Sequence, residues 1–235
     1  MAFSLVSQVA QGSPDGNGFT TGSIDTTGAH LLVAFVASYD GATAPTLSDS
    51  KGNTWTGRTA VSRSGAQRGR FHDVTTTPTV GTGHTFTLTG SGVFASLLVL
   101  AFSESASPAF DGESAGSTFS AANSAQPGSL TPSVNDSVLI TALALDGVST
   151  ESINGGFTLT NEAENVPGAC YGVTGAYLIQ TTAAAANPTW TLFNQSGCCL
   201  MAAYQPAGGG GGVTVPALDE GMLTGGLQEL TGGLG

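Results

Sequence analysis

Side chains that could act as acids, bases or nucleophiles are present in this chain of 235 residues, but their spacing indicates no catalytic arrangement. Glycoside hydrolysis needs two carboxylates across a cleft, and the sixteen Asp and Glu residues fall mostly in predicted turns. Glu162 and Glu164 would share one strand face, where each could raise the pKa of the other, although a solvated surface explains them better. There is no Gly-x-Ser-x-Gly elbow, and no glycine-rich phosphate loop precedes a helix. We therefore expect no catalytic residues and no enzymatic activity.

Metal-binding spacing is also missing, so we expect neither a metal nor another cofactor. The three histidines are scattered, with no C-x-x-C or H-x-x-x-H pattern. Calcium binding by Asp49, Asn53 and Asp40 is a weak alternative, because the dense acidic loop of a strong calcium site is absent.

The chain has three cysteines, Cys170, Cys198 and Cys199, which cannot all pair with one another. Cys198 and Cys199 are adjacent and should point to opposite faces of a strand. Small buried thiols are the favoured prediction. One bridge from Cys170 to either of the other two remains an alternative.

The positive charges are confined to one short stretch, although the net charge is −11. Nucleic acid and anionic membranes are therefore disfavoured partners, because phosphate binding needs a broad basic face. The basic hairpin is either a solvated strand pair or a contact to an acidic neighbour, possibly another copy of the chain. Its five cations are Lys51, Arg58, Arg63, Arg68 and Arg70.

The elements that would position these side chains follow one pattern twice, over residues 31–102 and 138–204. Each copy begins with an apolar run and continues through aromatic and threonine-rich strands. Each ends with Thr-Phe/Trp-Thr-Leu, a turn and a second apolar strand. Phe86 and Trp190 are 104 positions apart, and Phe102 and Tyr204 are 102 apart. This repeat predicts two matching sets of strands in one two-layer fold.

Composition supports an all-β class. Only 9% of the residues are charged, and glycine is abundant at 35 residues, which suits many tight turns and solvated strand faces. We predict ten to twelve strands and little helix, in a two-sheet antiparallel, jelly-roll-like sandwich over residues 1–206 with internally similar halves.

The start of the chain lacks a signal-peptide pattern and is predicted to be the first strand. No apolar run is long enough to span a membrane.

The segment Ser48-Asp49-Ser50-Lys51-Gly52-Asn53-Thr54-Trp55-Thr56 resembles the "SDSxGNTWT" hairpin of a β-sandwich family of phage structural and bacterial surface proteins. The similarity extends in order and spacing over roughly residues 20–206. It implies a module used for display, adhesion or assembly, and it implies no catalytic residues. Trp55 and Trp190 are predicted to pack in the core rather than to form a platform for sugars.

The C-terminal tail carries the strongest functional signal. Residues 207–212 contain five consecutive glycines, the composition of a linker, and residues 213–235 contain the echoed segments Leu223–Leu227 and Leu230–Leu234. So short a segment cannot bury its leucines alone, so we expect it to dock on a partner. The predicted docking residues are Val213, Val215, Leu218, Met222, Leu223, Leu227, Leu230 and Leu234.

These features lead to two hypotheses. The first is a decoration, or cement, protein of a phage virion, a homotrimer made in the host cytoplasm without a signal peptide. It would bind the major capsid protein through its tail and stabilise the shell. The alternative is a carbohydrate- or receptor-binding module of a tail fibre or surface adhesin, which would need exposed aromatic side chains and no tail.

Overall fold

The computed structural model describes residues 3–105, 107–147 and 151–208, and in these ranges the chain forms strands and no helix. The predicted all-β class is confirmed. The strands are β1 (Ser4–Gly12), β2 (Phe19–Thr20), β3 (Leu31–Tyr39), β4 (Thr46–Asp49), β5 (Thr56–Ser62), β6 (Gln67–Val74), β7 (Phe86–Thr89), β8 (Ser96–Ser103), β9 (Ala109–Glu113), β10 (Ser117–Ala125), β11 (Ser137–Leu145), β12 (Ser152–Ile153), β13 (Thr158–Leu159), β14 (Gly172–Gln180) and β15 (Trp190–Gln205).

All strand pairs are antiparallel and form three sheets. The first sheet has the order β1-β8-β3-β6-β5, and the second has the order β10-β15-β11-β14-β13. β9 and β12 also pair with β15, and a small third sheet has the order β2-β7-β4. The two large sheets pack face to face, because one buried cluster contains side chains from both of them.

The repeat predicted from the sequence is present in the strand order. β3 and β11 are the central strands of the two large sheets. β1, β8, β6 and β5 surround β3 as β10, β15, β14 and β13 surround β11. Phe86 and Trp190, which correspond in the sequence repeat, are both fully buried, although Phe86 lies in the small sheet and Trp190 in a large one. Each half of the chain therefore builds one sheet of the sandwich.

The expected turn after the Thr-Trp-Thr-Leu segment is wrong for the second half. In the first half, Gly90 and Gly92 have positive φ angles and separate β7 from β8. The second half has only an irregularity near Asn194, whose φ is 51°. The chain therefore continues as the single sixteen-residue strand β15. The number of strands is also higher than predicted, at fifteen in the described ranges, because β2, β12 and β13 are only two residues long.

The wholly apolar runs of β3 and β11 are explained by burial on both faces. Phe35 and Ile140 face the interface between the large sheets. On the outer face of β3, Val36 packs against the small sheet. On the outer face of β11, Leu143 packs against Trp190 and its neighbours. Alternation of polar and apolar residues is lost because neither face of these strands meets water.

The sandwich has two ends, which we call the exit end and the distal end. At the exit end, the start of β1 pairs with the end of β8, and Val138 pairs with Tyr204 near the end of β15. At the distal end lie Tyr39, Leu145 and Gly172, where β3 and β11 finish and β14 begins. A nine-residue strand spans roughly 30 Å. The first strand thus begins and the last strand ends at the exit end, and the distal end lies roughly 30 Å from both of these points.

The described ranges contain no helix of the length and apolarity needed to cross a membrane.

Candidate functional site

The predicted docking tail lies outside the described residues, as do its eight apolar residues from Val213 to Leu234. The last strand, β15, ends at Gln205. The described part of the chain ends three residues later, at Gly208.

The basic hairpin is formed by β5 and β6, with Lys51 in the turn before it. The ammonium of Lys51 donates to the Thr82 carbonyl at 3.0 Å. The guanidinium of Arg68 donates to the Ser38 hydroxyl and to the carbonyl of Tyr39, both at 3.3 Å. These cations bond to their own domain, so their charges are partly satisfied before any partner approaches.

Arg63 and Arg70 also bond within the domain. Arg63 donates to the Ser120 hydroxyl at 3.2 Å and to the Gln67 side-chain oxygen at 3.4 Å, and so joins the two large sheets at the distal end. Arg70 donates to the Arg58 carbonyl at 2.5 Å. The structure therefore does not gather the five cations into one free basic surface.

Arg58 is part of an ion pair that lies between the sheets. Its Nε and Nη2 atoms donate to the two carboxylate oxygens of Asp73 at 2.5 and 2.7 Å, and the Asp73 side chain is 1% exposed. The fully buried Tyr204 donates its hydroxyl to Asp73 at 3.1 Å. The guanidinium carbon lies 3.6 Å from the centre of the Phe110 ring. Arg58 therefore serves the fold.

The charges in this cluster shift one another's protonation. Burial would lower the pKa of Arg58, but the hydrogen bond and charge of Asp73 raise it above its ordinary value. Burial raises the pKa of Tyr204, and the nearby Asp73 carboxylate raises it further. Arg58 stays charged and Tyr204 stays neutral at physiological pH.

The hairpin that carries the resemblance is organised by one carboxylate. Asp49 accepts hydrogen bonds from the Lys51 amide at 2.8 Å, from Asn53 at 3.3 Å and from the Trp55 indole at 2.7 Å. Burial would raise the pKa of Asp49, but these donors outweigh it and the pKa lies below its usual value. With its oxygens occupied by donors, Asp49 acts as the centre of a turn. The described residues contain no cluster of His, Cys, Asp and Glu that could hold a metal.

Asp49 also begins a chain of buried polar groups. His84 Nε2 lies 3.2 Å from an Asp49 oxygen, outside hydrogen-bonding geometry. His84 Nδ1 lies 2.9 Å from the Thr26 hydroxyl. Burial lowers the pKa of His84, against the opposing effect of Asp49. The order carboxylate, imidazole, hydroxyl is that of a hydrolase triad, but His84 and Thr26 are 0% exposed, so substrate has no access.

The remaining candidates are placed as follows. Glu162 and Glu164 are exposed, as expected of a solvated surface, but both lie outside the strands. Cys170, Cys198 and Cys199 are free and buried, so the buried-thiol prediction is confirmed. Cys198 faces the main core and Cys199 faces the outer cluster, which confirms that they point to opposite faces.

The tryptophans differ in their surroundings. Trp190 is fully buried and donates to the Thr141 hydroxyl at 3.2 Å, so its predicted core position is confirmed. Trp55 is half-buried and packs edge-on against Phe86, with ring centres 6.1 Å apart. Neither tryptophan lines a groove among the described cavities.

A cavity that the sequence did not indicate lies at the distal end. It is lined by Tyr39, Phe94 and Tyr171, by Asp146 and Asn165, and by the turn at residues 166–168, and its volume is about 340 Å³. These residues come from the end of β3 and from three separate connections between strands. Tyr39 and Tyr171 are only half-buried. In the sequence, the signal for this site is the position of these two tyrosines at the ends of apolar segments.

In comparisons with known proteins, the chain matches no known family. No curated protein and no solved structure matches it either. The resemblance stated for the Asp49 hairpin therefore stays a prediction.

Proposed function

We propose that this protein is a virion structural protein of a phage, a decoration or cement protein that binds the capsid shell through its tail and stabilises it. The observation that carries the proposal is the tail sequence: two copies of Leu-Thr-Gly-Gly-Leu behind five consecutive glycines. Leucines spaced in this way are sheltered from water only by a partner surface. A groove or strand edge of the major capsid protein is the proposed surface.

The sandwich supports this proposal because its apolar core is covered and its cations are bonded within the domain. The core is closed on both faces of its central strands, and each of the five cations bonds within its own domain. A domain of this kind needs no partner for its stability. Attachment is then left to the tail, and the sandwich acts as a knob that projects from the shell.

The proposed assembly is a homotrimer on the shell. Three tails that engage together raise the apparent affinity well above that of one tail, because each later contact forms at a high effective concentration. A weak apolar peptide is sufficient for stable attachment under these conditions.

The test compares the full chain with a chain that ends at Pro206, using empty shells of the same virus. We expect cosedimentation of the full chain and at least a tenfold loss of affinity on truncation. A finer variant changes Leu223, Leu227, Leu230 and Leu234 to serine. Its matched control changes the neighbouring Thr224 and Thr231 to serine and should bind like the unaltered chain. Equal binding of the truncated and full chains would refute the proposal.

A further inference from the structure

The cavity at the distal end has the composition of a small-molecule site. Tyr39, Phe94 and Tyr171 supply aromatic surface, and Asp146 and Asn165 supply polar groups at its edge. Its volume of about 340 Å³ lies within the range of ligand sites, which are mostly apolar with a few convergent polar groups. It lies at the distal end, whereas the last strand β15 ends at Gln205 at the exit end.

Phe94 is held in an unusual conformation in the wall of this cavity. Its φ angle is +46°, a region that large side chains rarely adopt. Main-chain hydrogen bonds hold it there, from its amide to Gly16 at 3.0 Å and from the Tyr171 amide to its carbonyl at 2.9 Å. This backbone turns the Phe94 ring edge-on to Tyr39, with centres 6.1 Å apart. Backbone strain of this kind collects at functional sites.

The polar wall is fixed by a short turn. Val166 and Cys170 exchange main-chain hydrogen bonds at 3.0 Å, which closes the turn at residues 166–168. The Asn165 amide nitrogen donates to the Cys170 carbonyl at 2.9 Å. With the amide nitrogen on the Cys170 carbonyl, the side-chain oxygen of Asn165 points away from that carbonyl. The site is therefore largely formed before any ligand binds, which reduces the entropy lost on binding.

Charged groups of both signs act on Tyr171 in the wall of the cavity. Burial raises the pKa of Tyr171, the carboxylate of Asp146 and the hydroxyl of Tyr39 raise it further, and Arg63 acts in the opposite direction. The negative Asp146 and the positive Arg63 are thus both close to the Tyr171 hydroxyl. Asp146 is a lining residue of the cavity, and its carboxylate supplies an acceptor for the hydroxyl groups of a ligand.

We infer that this cavity binds a pyranose sugar, the terminal residue of a glycan. The apolar face of a pyranose ring would stack on the tyrosine rings, and its hydroxyls would bond to Asp146, Asn165 and the tyrosine hydroxyls. This inference concerns the sandwich and does not depend on the tail. On a shell-bound protein anchored at the exit end, the same cavity would face outward.

The test uses purified protein on an array of mono- and oligosaccharides, followed by titration of the strongest pyranose-containing hit. We expect binding that Asp146→Asn weakens by at least tenfold, as loss of a charge-assisted hydrogen bond requires. Tyr171→Ala should abolish it. Asp136→Asn is the matched control, because Asp136 is exposed and lies just before β11, whereas Asp146 lies just after it. This control should bind like the unaltered protein.

Folding is monitored by thermal melting, and if Tyr171→Ala does not fold, Asp146→Asn and Asn165→Ala decide the result. Choline is titrated in parallel. Absence of glycan binding, equal binding by the unaltered and Asp146→Asn proteins, or binding of choline alone would overturn the inference. The chain that ends at Pro206 should keep its glycan binding, and so failure of this site is distinguishable from failure of the capsid proposal.

Discussion

Replacement of Asp73 by asparagine should destabilise the fold strongly, although it changes one atom. Asp73 accepts two hydrogen bonds from Arg58 and one from Tyr204, and its side chain is 1% exposed. The substitution removes the carboxylate that pairs with the guanidinium between the sheets. Breaking a buried pair from one side costs about 3–5 kcal/mol. Arg58 keeps some solvent contact, with 19% exposure, so we expect a loss at the lower limit, about 3 kcal/mol.

Urea unfolding measures this loss directly, as a shift in the midpoint at constant slope. Tyr204→Phe removes only a hydrogen bond to the charged acceptor and should cost about 2 kcal/mol. The double variant should cost less than the two single changes together, because both act on the same carboxylate. Asp25→Asn is the control, since Asp25 is exposed and accepts hydrogen bonds from Thr27, two residues along the chain. It should stay within about 0.5 kcal/mol of the unaltered protein.

A cost for Asp73→Asn below about 1 kcal/mol would refute this reasoning. Such a result would mean that Arg58 does not depend on Asp73 for its charge balance. Arg58 would then be free to serve the contact with an acidic neighbour that the sequence allowed.

Two further predictions concern backbone packing and pH. At Gly197 an added Cβ would overlap the Ala144 carbonyl oxygen, so Gly197→Ala should cost more than about 3 kcal/mol in urea unfolding. Gly22 has open space around it, so Gly22→Ala should change stability by less than about 1 kcal/mol. Similar effects at both positions would contradict the packing described for Gly197. Burial and the nearby Arg70 lower the pKa of His72 from 6.5 to about 4. The unfolded chain therefore binds a proton first as the pH falls from 6.5 to 4, and this histidine should reduce stability by up to about 3 kcal/mol over that window, a component that His72→Gln should remove.

The repeat could be predicted from the sequence because its signals are local. The apolar runs of β3 and β11 each fill a strand buried on both faces, and Phe86 and Trp190 alternate with threonines over two-residue periods. The turn lost in the second half depends on a subtler difference. Gly90 and Gly92 adopt positive φ angles at low cost. Their counterparts in the second half do not end the strand, and β15 continues.

The ion pair of Arg58 and Asp73 could not be predicted, because its partners meet only after the sheets assemble. Tyr204, which completes it, is 131 positions away from Asp73. The sequence shows that the five cations lie in one short stretch of the chain, but not that each bonds within the domain. The distal cavity could not be predicted for the same reason, since its residues come from the end of β3 and from separate connections between strands. Side chains gathered by long-range pairing leave no periodic pattern in the sequence.

The polarity of the sandwich links the two proposals. In each sheet the central strand runs from the exit end to the distal end, and β15 returns antiparallel to β11 and ends at Gln205. A tail that follows β15 therefore leaves from the end opposite to Tyr39, Asp146 and Tyr171. A pocket beside the point of attachment would be covered on binding to a shell. If both proposals hold, a pocket at the far end of a strand roughly 30 Å long stays open to solvent, and attachment through the tail and recognition at the distal end do not compete for surface.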